Sequence, residues 1–229
     1  MTTAVSGAQA ADPAGLTVAV LGGTGPQGRG LARRLALAGQ RMVIGSRVSE
    51  RAEAVAAPLR AANLDVTGTD NASAAEAADL VIVAVPYEGH RALLTGLAGA
   101  LAGKVVVDCV NPVAFDKLGA YPLLVEAGSA AQEAAAVLPA SRVVAAFHHV
   151  SAVLLEDPSL GEVDIDILVL GDDREATDLV QALAGRIAGM RGIYAGRLRN
   201  AAQVEALTAN LISVNRRHKT HAGIRITGL

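Results

Sequence analysis

The feature that most constrains the fold is a glycine-rich turn between a predicted strand and a predicted helix. The apolar run LTVAVLG (16–22) has the length of a strand, GTGPQG (23–28) follows it, and a helical pattern continues to about Ala38. Glycines in a G-x-G-x-x-G turn let the backbone approach a pyrophosphate, and the helix N-terminus offers it amide groups. An isolated match is more often a chance turn. The strand–turn–helix context is what predicts a dinucleotide site.

Apolar strands alternate with helical patterns along the rest of the chain. Their lack of polar alternation indicates strands buried on both faces of a parallel sheet. The fold class predicted is α/β, a Rossmann-type doubly wound parallel sheet with a small C-terminal α/β domain ending in a long helix. We expect a disordered tail (1–15), a nucleotide-binding domain (16–148) and a smaller domain (149–229). The predicted strands are 16–22, 41–46, 65–69, 79–86, 104–112, 142–148, 164–171 and 192–196.

Composition excludes several classes of protein. The net charge of −2 argues against a broad nucleic-acid surface. The single cysteine, Cys109, is expected to be a buried structural thiol in a reducing cytosol. No Lys or Arg precedes Arg29, and residues 1–15 lack an apolar run, so we expect neither a signal peptide nor a membrane anchor. A cytoplasmic protein is predicted.

The end of the second predicted strand indicates which dinucleotide is bound. NAD-binding folds usually place Asp or Glu about 20 residues beyond the glycines, where it holds the ribose 2′-hydroxyl. Here Ser46 and Arg47 stand at that point, and Arg51 follows four residues later. A hydroxyl and guanidinium groups attract a 2′-phosphate, which a carboxylate would repel. Thr24 adds a hydroxyl near the same corner. NADP is therefore predicted, although surface arginines are often merely solvated.

The sequence offers no obvious proton donor for the reaction. None of its three tyrosines belongs to a Tyr-x-x-x-Lys pair. His148 and His149 lie in a predicted strand, where neighbours point to opposite faces, and no further His or Cys supports a metal site. The absence suits a hydride transfer between two flat cofactors, about 3–3.5 Å apart, in which positioning does most of the work.

Four segments together resemble the coenzyme F420-dependent NADP oxidoreductases: residues 18–47, VIVAVPYE, AAFHHVSA and RLRNAAQVEALTANLISVN. The resemblance covers residues 16–229 and implies reversible hydride transfer between NADP(H) and coenzyme F420, an 8-hydroxy-5-deazaflavin, in a homodimer. It leaves open the physiological direction and the length of the coenzyme's polyglutamate tail.

The resemblance also implies roles for individual residues. The pyrophosphate side would be held by Thr24, Gly25, Pro26 and Gln27. Ser46, Arg47 and Arg51 would hold the 2′-phosphate, and the family can carry Lys at the position of Arg51. Tyr87 would line the NADP site, and Val113 and Ala152 would border the nicotinamide. His148 and Val150 would position the deazaflavin, with Asn111 as a further pocket residue; no side chain is assigned as a catalytic acid or base.

Two alternatives remain. An NADPH-dependent imine or carbonyl reductase would need a proton donor, for which His148 is the one attractive candidate. It would also need a longer helical domain than the roughly 80 residues here. A non-catalytic NADP-sensing protein would need no second pocket.

Overall fold

The computed structural model describes residues 12–229. The strands are β1 (Thr17–Leu21), β2 (Arg41–Ser46), β3 (Val66–Asp70), β4 (Leu80–Val83), β5 (Val105–Asp108), β6 (Val113–Asp116), β7 (Gly119–Pro122), β8 (Arg142–Ala145), β9 (Ile165–Gly171) and β10 (Met190–Gly196). The helices are α1 (Pro26–Leu37), α2 (Ser49–Ala61), α3 (Asn71–Ala77), α4 (Tyr87–Leu101), α5 (Ala130–Val137), α6 (Ala152–Glu156), α7 (Arg174–Gly185) and α8 (Ala201–His218), with a short 3-10 helix at Leu198–Asn200.

Eight strands form one sheet in the order β10-β9-β8-β5-β4-β1-β2-β3. Neighbouring strands are parallel except β8 and β9, which are antiparallel. The six strands from β3 to β8 have the strand order of a dinucleotide-binding fold, whose order reverses between β1 and β4. The α/β Rossmann-type fold is confirmed. A ligand crevice is expected at that reversal, beyond the carboxyl ends of the strands.

Alternating side chains on the strands build a core on each face of the sheet. On β1, Val18 and Val20 join the cluster beneath α1, α2 and α7, while Ala19 and Leu21 join the cluster beneath α3, α4 and α5. All four are completely buried. Both faces are covered, so the strands carry no polar alternation. Within residues 12–229, no helix combines the length and apolar character needed to cross a lipid bilayer.

Three local features differ from the sequence-based expectation. The strand predicted for 142–148 ends at Ala145, and His148 lies in the turn that follows, after Phe147 at φ 63°. The β6–β7 hairpin and α5 were not predicted. The expected tail falls mostly on residues 1–11, outside the described residues. Its remainder forms a turn in which Pro13 is buried and accepts a hydrogen bond from the backbone of Leu16.

A buried arginine of α1, Arg34, binds the backbone of residues 154–160. Arg34 donates hydrogen bonds of 2.7–3.0 Å to the backbone carbonyls of four residues, namely Leu154, Leu155, Asp157 and Leu160. Arg29 adds an ion pair with Glu156 at 2.6 Å. β9 and β10 extend the same sheet as the N-terminal strands. The division into 16–148 and 149–229 stays a prediction.

Candidate functional site

Three adjoining cavities run along the carboxyl edge of the sheet. The first has a volume of about 460 Å³ and lies beyond β1, β2 and β3. The second, of about 280 Å³, lies beyond β4 and β5 and shares Gly25 and Ala84 with the first. The third, of about 290 Å³, lies between the turn after β8 and helix α8, and shares Gln27 and Asn111 with the second. Neighbouring cavities share lining residues and therefore adjoin each other, and we call the three together the groove.

The glycines of the turn after β1 have two different roles. Gly22 and Gly28 are needed for packing, whereas Gly25 faces the groove. Gly22 has φ +72°, and a Cβ there would lie 2.6 Å from the carbonyl oxygen of Ala84. A Cβ on Gly28 would lie 2.7 Å from the Cα of Gly23, so both positions require glycine for packing. A Cβ on Gly25 would meet only the carbonyl oxygen of Gly22, at 3.5 Å. Gly25 therefore faces open space in the first and second cavities.

A basic corner closes the outer end of the first cavity. Ser46 is buried at the end of β2, and its Oγ accepts a 3.4 Å hydrogen bond from the backbone N–H of Val48. Arg47 and Arg51, in the loop and the first turn of α2, are exposed and line the cavity. Neither forms an ion pair among residues 12–229. Both guanidinium groups are thus available to an anion, although the carboxylate of Glu88 lines the same cavity.

Asn71 is a lining residue that sequence reasoning missed. It is the first residue of α3, is buried, and lines the first cavity. Its Oδ1 accepts a hydrogen bond of 3.3 Å from the backbone N–H of Gly22, which connects the ends of β1 and β3. Its position directly after a strand was the available signal, because strand ends meet at one edge of a parallel sheet.

The turn after β8 presents a buried imidazole to the third cavity. His148 is 3% exposed, and neither ring nitrogen has a hydrogen-bonding side chain or backbone partner by distance and angle among residues 12–229. Burial lowers the pKa of His148 to about 4, so the ring is neutral at pH 7. His149 follows in the same turn, and its Nε2 accepts a hydrogen bond of 3.2 Å from the backbone N–H of Leu168 in β9. Neither histidine lies in a strand, which corrects the expectation that they are neighbouring strand residues.

Side chains from three other elements fix this turn. The backbone oxygen of His148 accepts hydrogen bonds from Asn111 Nδ2 at 2.8 Å and Thr208 Oγ1 at 3.2 Å. The backbone oxygen of Phe147 accepts one from Gln27 Nε2 at 3.0 Å. The turn is held by α1, the end of β5 and α8 together, while the Oδ1 of Asn111 remains buried without a partner in the described part of the chain.

A buried acidic network supports the groove from below. His90 Nε2 lies 2.5 Å from Asp108 Oδ2, and Nδ1 lies 3.2 Å from Glu133 Oε1. Burial alone would lower the pKa of His90, but its hydrogen bonds and charge interactions with both carboxylates raise it. Asp108 Oδ1 also accepts from the backbone N–H of Val110, which lines the second cavity. The network thus holds the loop after β5.

A further buried carboxylate, Glu205, joins α8 to α5. It accepts hydrogen bonds of 2.9 and 3.1 Å from the backbone N–H groups of Ala130 and Ala131 at the start of α5. Burial raises the pKa of Glu205 to about 7, against the opposing effect of these two bonds. Its position fixes α8, whose next turn lines the third cavity.

The groove brings most of the predicted site residues together. The first cavity is lined by Thr24, Gly25, Ser46, Arg47 and Arg51, the second by Gly25, Pro26 and Gln27, and the third by Gln27, His148, Val150 and Ala152. Two predicted residues line none of the three. Tyr87 is half-buried at the start of α4, with its ring centroid 6.3 Å from that of His90, and Val113 begins β6. Their roles stay predictions.

Comparisons with known proteins give the family. Residues 17–112 match the family described as NADP oxidoreductase, coenzyme F420-dependent. The chain is 42% identical over 223 residues to the F420-dependent NADP reductase of Methanothermobacter marburgensis, covering 93% of this chain and 99% of that protein. It is 41% identical over 224 residues to the enzyme of the same name from Methanocaldococcus jannaschii, with the same coverage of both.

Solved structures agree with the sequence comparison. A candidate F420-dependent NADP reductase from Arthrobacter sp. FB24 superposes with a TM-score of 0.79 at 28% identity, covering 93% of this chain and 100% of that one. An imine reductase from Bacillus cereus shares the fold alone, with a TM-score of 0.63 at 18% identity, covering 89% of this chain and 63% of that longer one. The chain therefore belongs to the F420-dependent NADP reductase family.

Proposed function

We propose that this protein transfers hydride reversibly between NADP(H) and coenzyme F420 by holding the two cofactor rings against each other. The observation that carries the proposal is the row of three adjoining cavities. It extends from a dinucleotide-type glycine turn to the third cavity, which is lined by residues with unpartnered buried polar atoms. A protein that only senses NADP has no use for the third cavity. The names of the similar methanogen enzymes support the choice of cofactors.

The first cavity has the chemistry that NADP requires. Gly25 leaves open space for a pyrophosphate at the N-terminus of α1, where backbone N–H groups are unpaired within the helix. At the outer end, Ser46, Arg47 and Arg51 would hold the 2′-phosphate by charge-assisted hydrogen bonds. We propose Thr24, Pro26 and Gln27 as further contacts on the pyrophosphate side.

The third cavity fits a planar ligand that carries polar groups. Both ring nitrogens of His148 and the Oδ1 of Asn111 are buried without partners among the described residues. Such atoms cost free energy unless a ligand or water satisfies them. Val150 and Ala152 offer a small apolar wall beside them. We propose that these residues position the deazaflavin.

The chain's own residues orient the cofactors and do not donate protons. When bound, the deazaflavin and the nicotinamide supply the two carbons between which hydride passes. The imidazole of His148 is neutral at pH 7, so it can accept or donate a hydrogen bond but is not an imidazolium that could act as a general acid. Hydrogen bonds from Gln27, Asn111 and Thr208 keep its turn in place. Positioning is thus the contribution we assign to the protein.

The test is a direct assay of the purified protein. With NADPH and coenzyme F420 present, the visible absorbance of the oxidised deazaflavin should bleach, and NADP⁺ should restore it from the reduced form. FAD, FMN and a panel of imines and carbonyl compounds serve as competing substrates. Equal turnover of FAD or FMN with none of the deazaflavin would refute the proposal, and turnover of an imine alone would favour the reductase alternative.

We further propose that the protein acts as a cytoplasmic homodimer. Three large apolar side chains on or beside the β6–β7 hairpin, Phe115, Leu118 and Leu124, are strongly exposed. Several large apolar side chains exposed on one hairpin indicate an interaction surface. The single buried thiol supports a reducing compartment. Sedimentation equilibrium of wild type and Leu118→Asp tests the dimer, which the variant should weaken.

A further inference from the structure

His90, in α4, has a carboxylate oxygen against each of its two ring nitrogens. Nε2 lies 2.5 Å from Oδ2 of Asp108, and Nδ1 lies 3.2 Å from Oε1 of Glu133. His90 and Asp108 are completely buried, and Glu133 is nearly so. These three residues, which we call the imidazole cluster, come from α4, the end of β5 and α5.

The two contacts require one proton more than a neutral imidazole carries. A neutral ring has a hydrogen on one nitrogen only, and its other nitrogen, like an ionised carboxylate, is an acceptor. With a neutral ring and two carboxylates, one contact would therefore place an acceptor against an acceptor. Burial lowers the pKa of His90, but the hydrogen bonds and charges of Asp108 and Glu133 outweigh it and raise that pKa. The extra proton thus belongs on the ring, as an imidazolium.

Four further titratable groups surround the imidazole cluster, on α4, β5 and α8: Tyr87, Arg91, Cys109 and Glu205. Burial raises the pKa values of Tyr87 and Cys109, so neither is ionised at pH 7. Arg91 lies 3.5 Å from the second oxygen of Glu133, but its side chain is 67% exposed. Glu205 is a third buried acid. The ring of His90 therefore supplies a buried positive charge to a region that is otherwise acidic.

Asp108 connects the imidazole cluster to the groove. Its Oδ2 faces His90, while its Oδ1 accepts a hydrogen bond of 3.0 Å from the backbone N–H of Val110. Val110 and Asn111 line the second cavity. Asn111 Nδ2 donates a hydrogen bond of 2.8 Å to the backbone oxygen of His148, which lines the third cavity. His90 lines none of the three cavities, yet a short series of contacts leads from its ring to the second and third.

Stability alone does not account for an ion pair in this place. Replacing a buried ion pair by apolar side chains of similar volume is often neutral or stabilising. Leu94 of α4 and Ala134 of α5 already belong to one apolar core. The ion pair adds direction, because an aspartate with one oxygen held by the ring keeps its other oxygen on the amide of the loop.

We propose that His90 is a positioning residue for the hydride transfer, acting through Asp108 on the loop that carries Val110 and Asn111. The inference rests on the proposed function, since it names a further residue that serves the same reaction. Because folding raises the pKa of His90, the imidazolium is present below that pKa and is lost as pH rises above it. Two buried carboxylates then share one N–H. The loop should therefore be held at neutral pH and released in alkaline solution.

Nitrogen NMR of the imidazole rings tests the charge on His90 without any cofactor. The chain has five histidines, and the signals of His90 are those missing from the spectrum of His90→Gln. At pH 7 both ring nitrogens of His90 should carry a hydrogen. The ring of His148, which is neutral at that pH, provides the internal comparison.

Single-turnover hydride transfer from NADPH to coenzyme F420, with both saturating, tests the positioning role. His90→Gln should slow the transfer about 10- to 100-fold at pH 7, the cost of a small misplacement of the reacting groups. Calorimetry should show a smaller factor for NADPH affinity, because the first cavity lies beyond β1, β2 and β3. His218→Gln, the same substitution at an exposed histidine near the end of α8, is the matched control and should match wild type.

The dependence on pH separates positioning from simple structural support. The ratio of the wild-type rate to the His90→Gln rate should fall towards one as pH rises, and taking the ratio removes any titration of the coenzyme itself. Glu133→Gln keeps an acceptor oxygen but removes a negative charge, so its own alkaline decline should begin at a lower pH than that of wild type. This variant also tests the proposal if His90→Gln does not fold.

Three results would overturn the inference while the proposed function stands: a neutral His90 ring at pH 7, a rate ratio that stays constant with pH, or an alkaline decline at the same pH in Glu133→Gln as in wild type. Equal losses of rate and of NADPH affinity in His90→Gln would also reduce His90 to structural support. If wild type transfers no hydride to the deazaflavin, the proposed function fails and the positioning role fails with it.

Discussion

Replacing Gly25 and Gly28 separately by alanine distinguishes the glycine that serves binding from the one that serves folding. Gly25 has φ −76° and ψ 161°, a conformation open to any residue, and its new Cβ would meet only the carbonyl oxygen of Gly22 at 3.5 Å. The loss of stability in Gly25→Ala should stay within about 1 kcal/mol, the cost of alanine at a helix N-cap. Its methyl group nonetheless enters the space shared by the first and second cavities.

The loss of binding in Gly25→Ala follows from the pyrophosphate's approach to the backbone. Preventing even one charge-assisted hydrogen bond forfeits about 1.5–3 kcal/mol, or about 10- to 150-fold in NADPH affinity. In Gly28→Ala the Cβ would lie 2.7 Å from a backbone atom of Gly23 and 2.9 Å from one of Gly22. Overpacking of about 3 kcal/mol, less about 1 kcal/mol of gained helix propensity, predicts a fall in Tm of about 4–8 °C.

Calorimetric titration with NADPH and thermal unfolding of the same samples provide both readouts. Wild type and Gly99→Ala, a helical glycine whose added Cβ meets no atom within 4 Å, are the controls. Wild-type NADPH affinity in Gly25→Ala would refute the placement of the pyrophosphate. Equal destabilisation of Gly25→Ala and Gly28→Ala would refute the division of roles within the turn.

Three further predictions concern the groove and its support. The ratio of kcat/KM for NADPH over NADH should fall about 10- to 100-fold in Arg47→Ala and in Arg51→Ala and further in Ser46→Asp, whereas a constant ratio would make these ordinary surface residues. His148→Ala should slow single-turnover hydride transfer about 10- to 100-fold; a loss beyond about four decades with both cofactors bound would mean proton chemistry. The pKa of Glu205 is raised to about 7, so the free energy of unfolding of wild type should fall by up to about 3 kcal/mol as pH rises from about 4.5 to 7. Denaturant unfolding of Glu205→Gln should not show this dependence on pH. The same dependence in the variant would contradict the assignment.

Patterns local in sequence predicted the sheet and half of the groove. Val18 to Leu21 read as a buried strand because both faces of that strand are covered, and the turn from Gly22 to Gly28 carries its own conformational signal. The basic corner was also local, since Ser46 ends one strand, Arg47 follows it in the loop and Arg51 lies in the first turn of the next helix. In each of these segments the residue propensities, the spacing and the chemistry of the side chains all indicate the same structure within about ten consecutive residues.

The remaining features depend on contacts between distant parts of the chain. His148 leaves the strand pattern because Asn111 and Thr208, 37 and 60 residues away, hold its backbone oxygen in a turn. The hydrophobic pattern of residues 142–148 does not predict these contacts. The network of His90 and Asp108 likewise joins α4 to the end of β5. Polar side chains that are satisfied by tertiary partners are indistinguishable, in sequence, from solvated ones.

The four carbonyl oxygens that surround Arg34 have a consequence for protein engineering. A guanidinium stays charged throughout the pH range of ordinary protein work, so a change of pH does not neutralise the group that holds α6 and the loop after it against α1. A replacement segment that covered Arg34 without offering acceptors would bury an unpaired cation. A chain truncated after residue 148 would instead expose the guanidinium and the surface of α1 where Leu155 packs against Gly30. Lysine, with a single ammonium, does not reproduce the planar fork. A chimera that exchanges residues 149–229 for another coenzyme-binding module must therefore bring its own ring of carbonyls to Arg34, or replace Arg34 and Gly30 together.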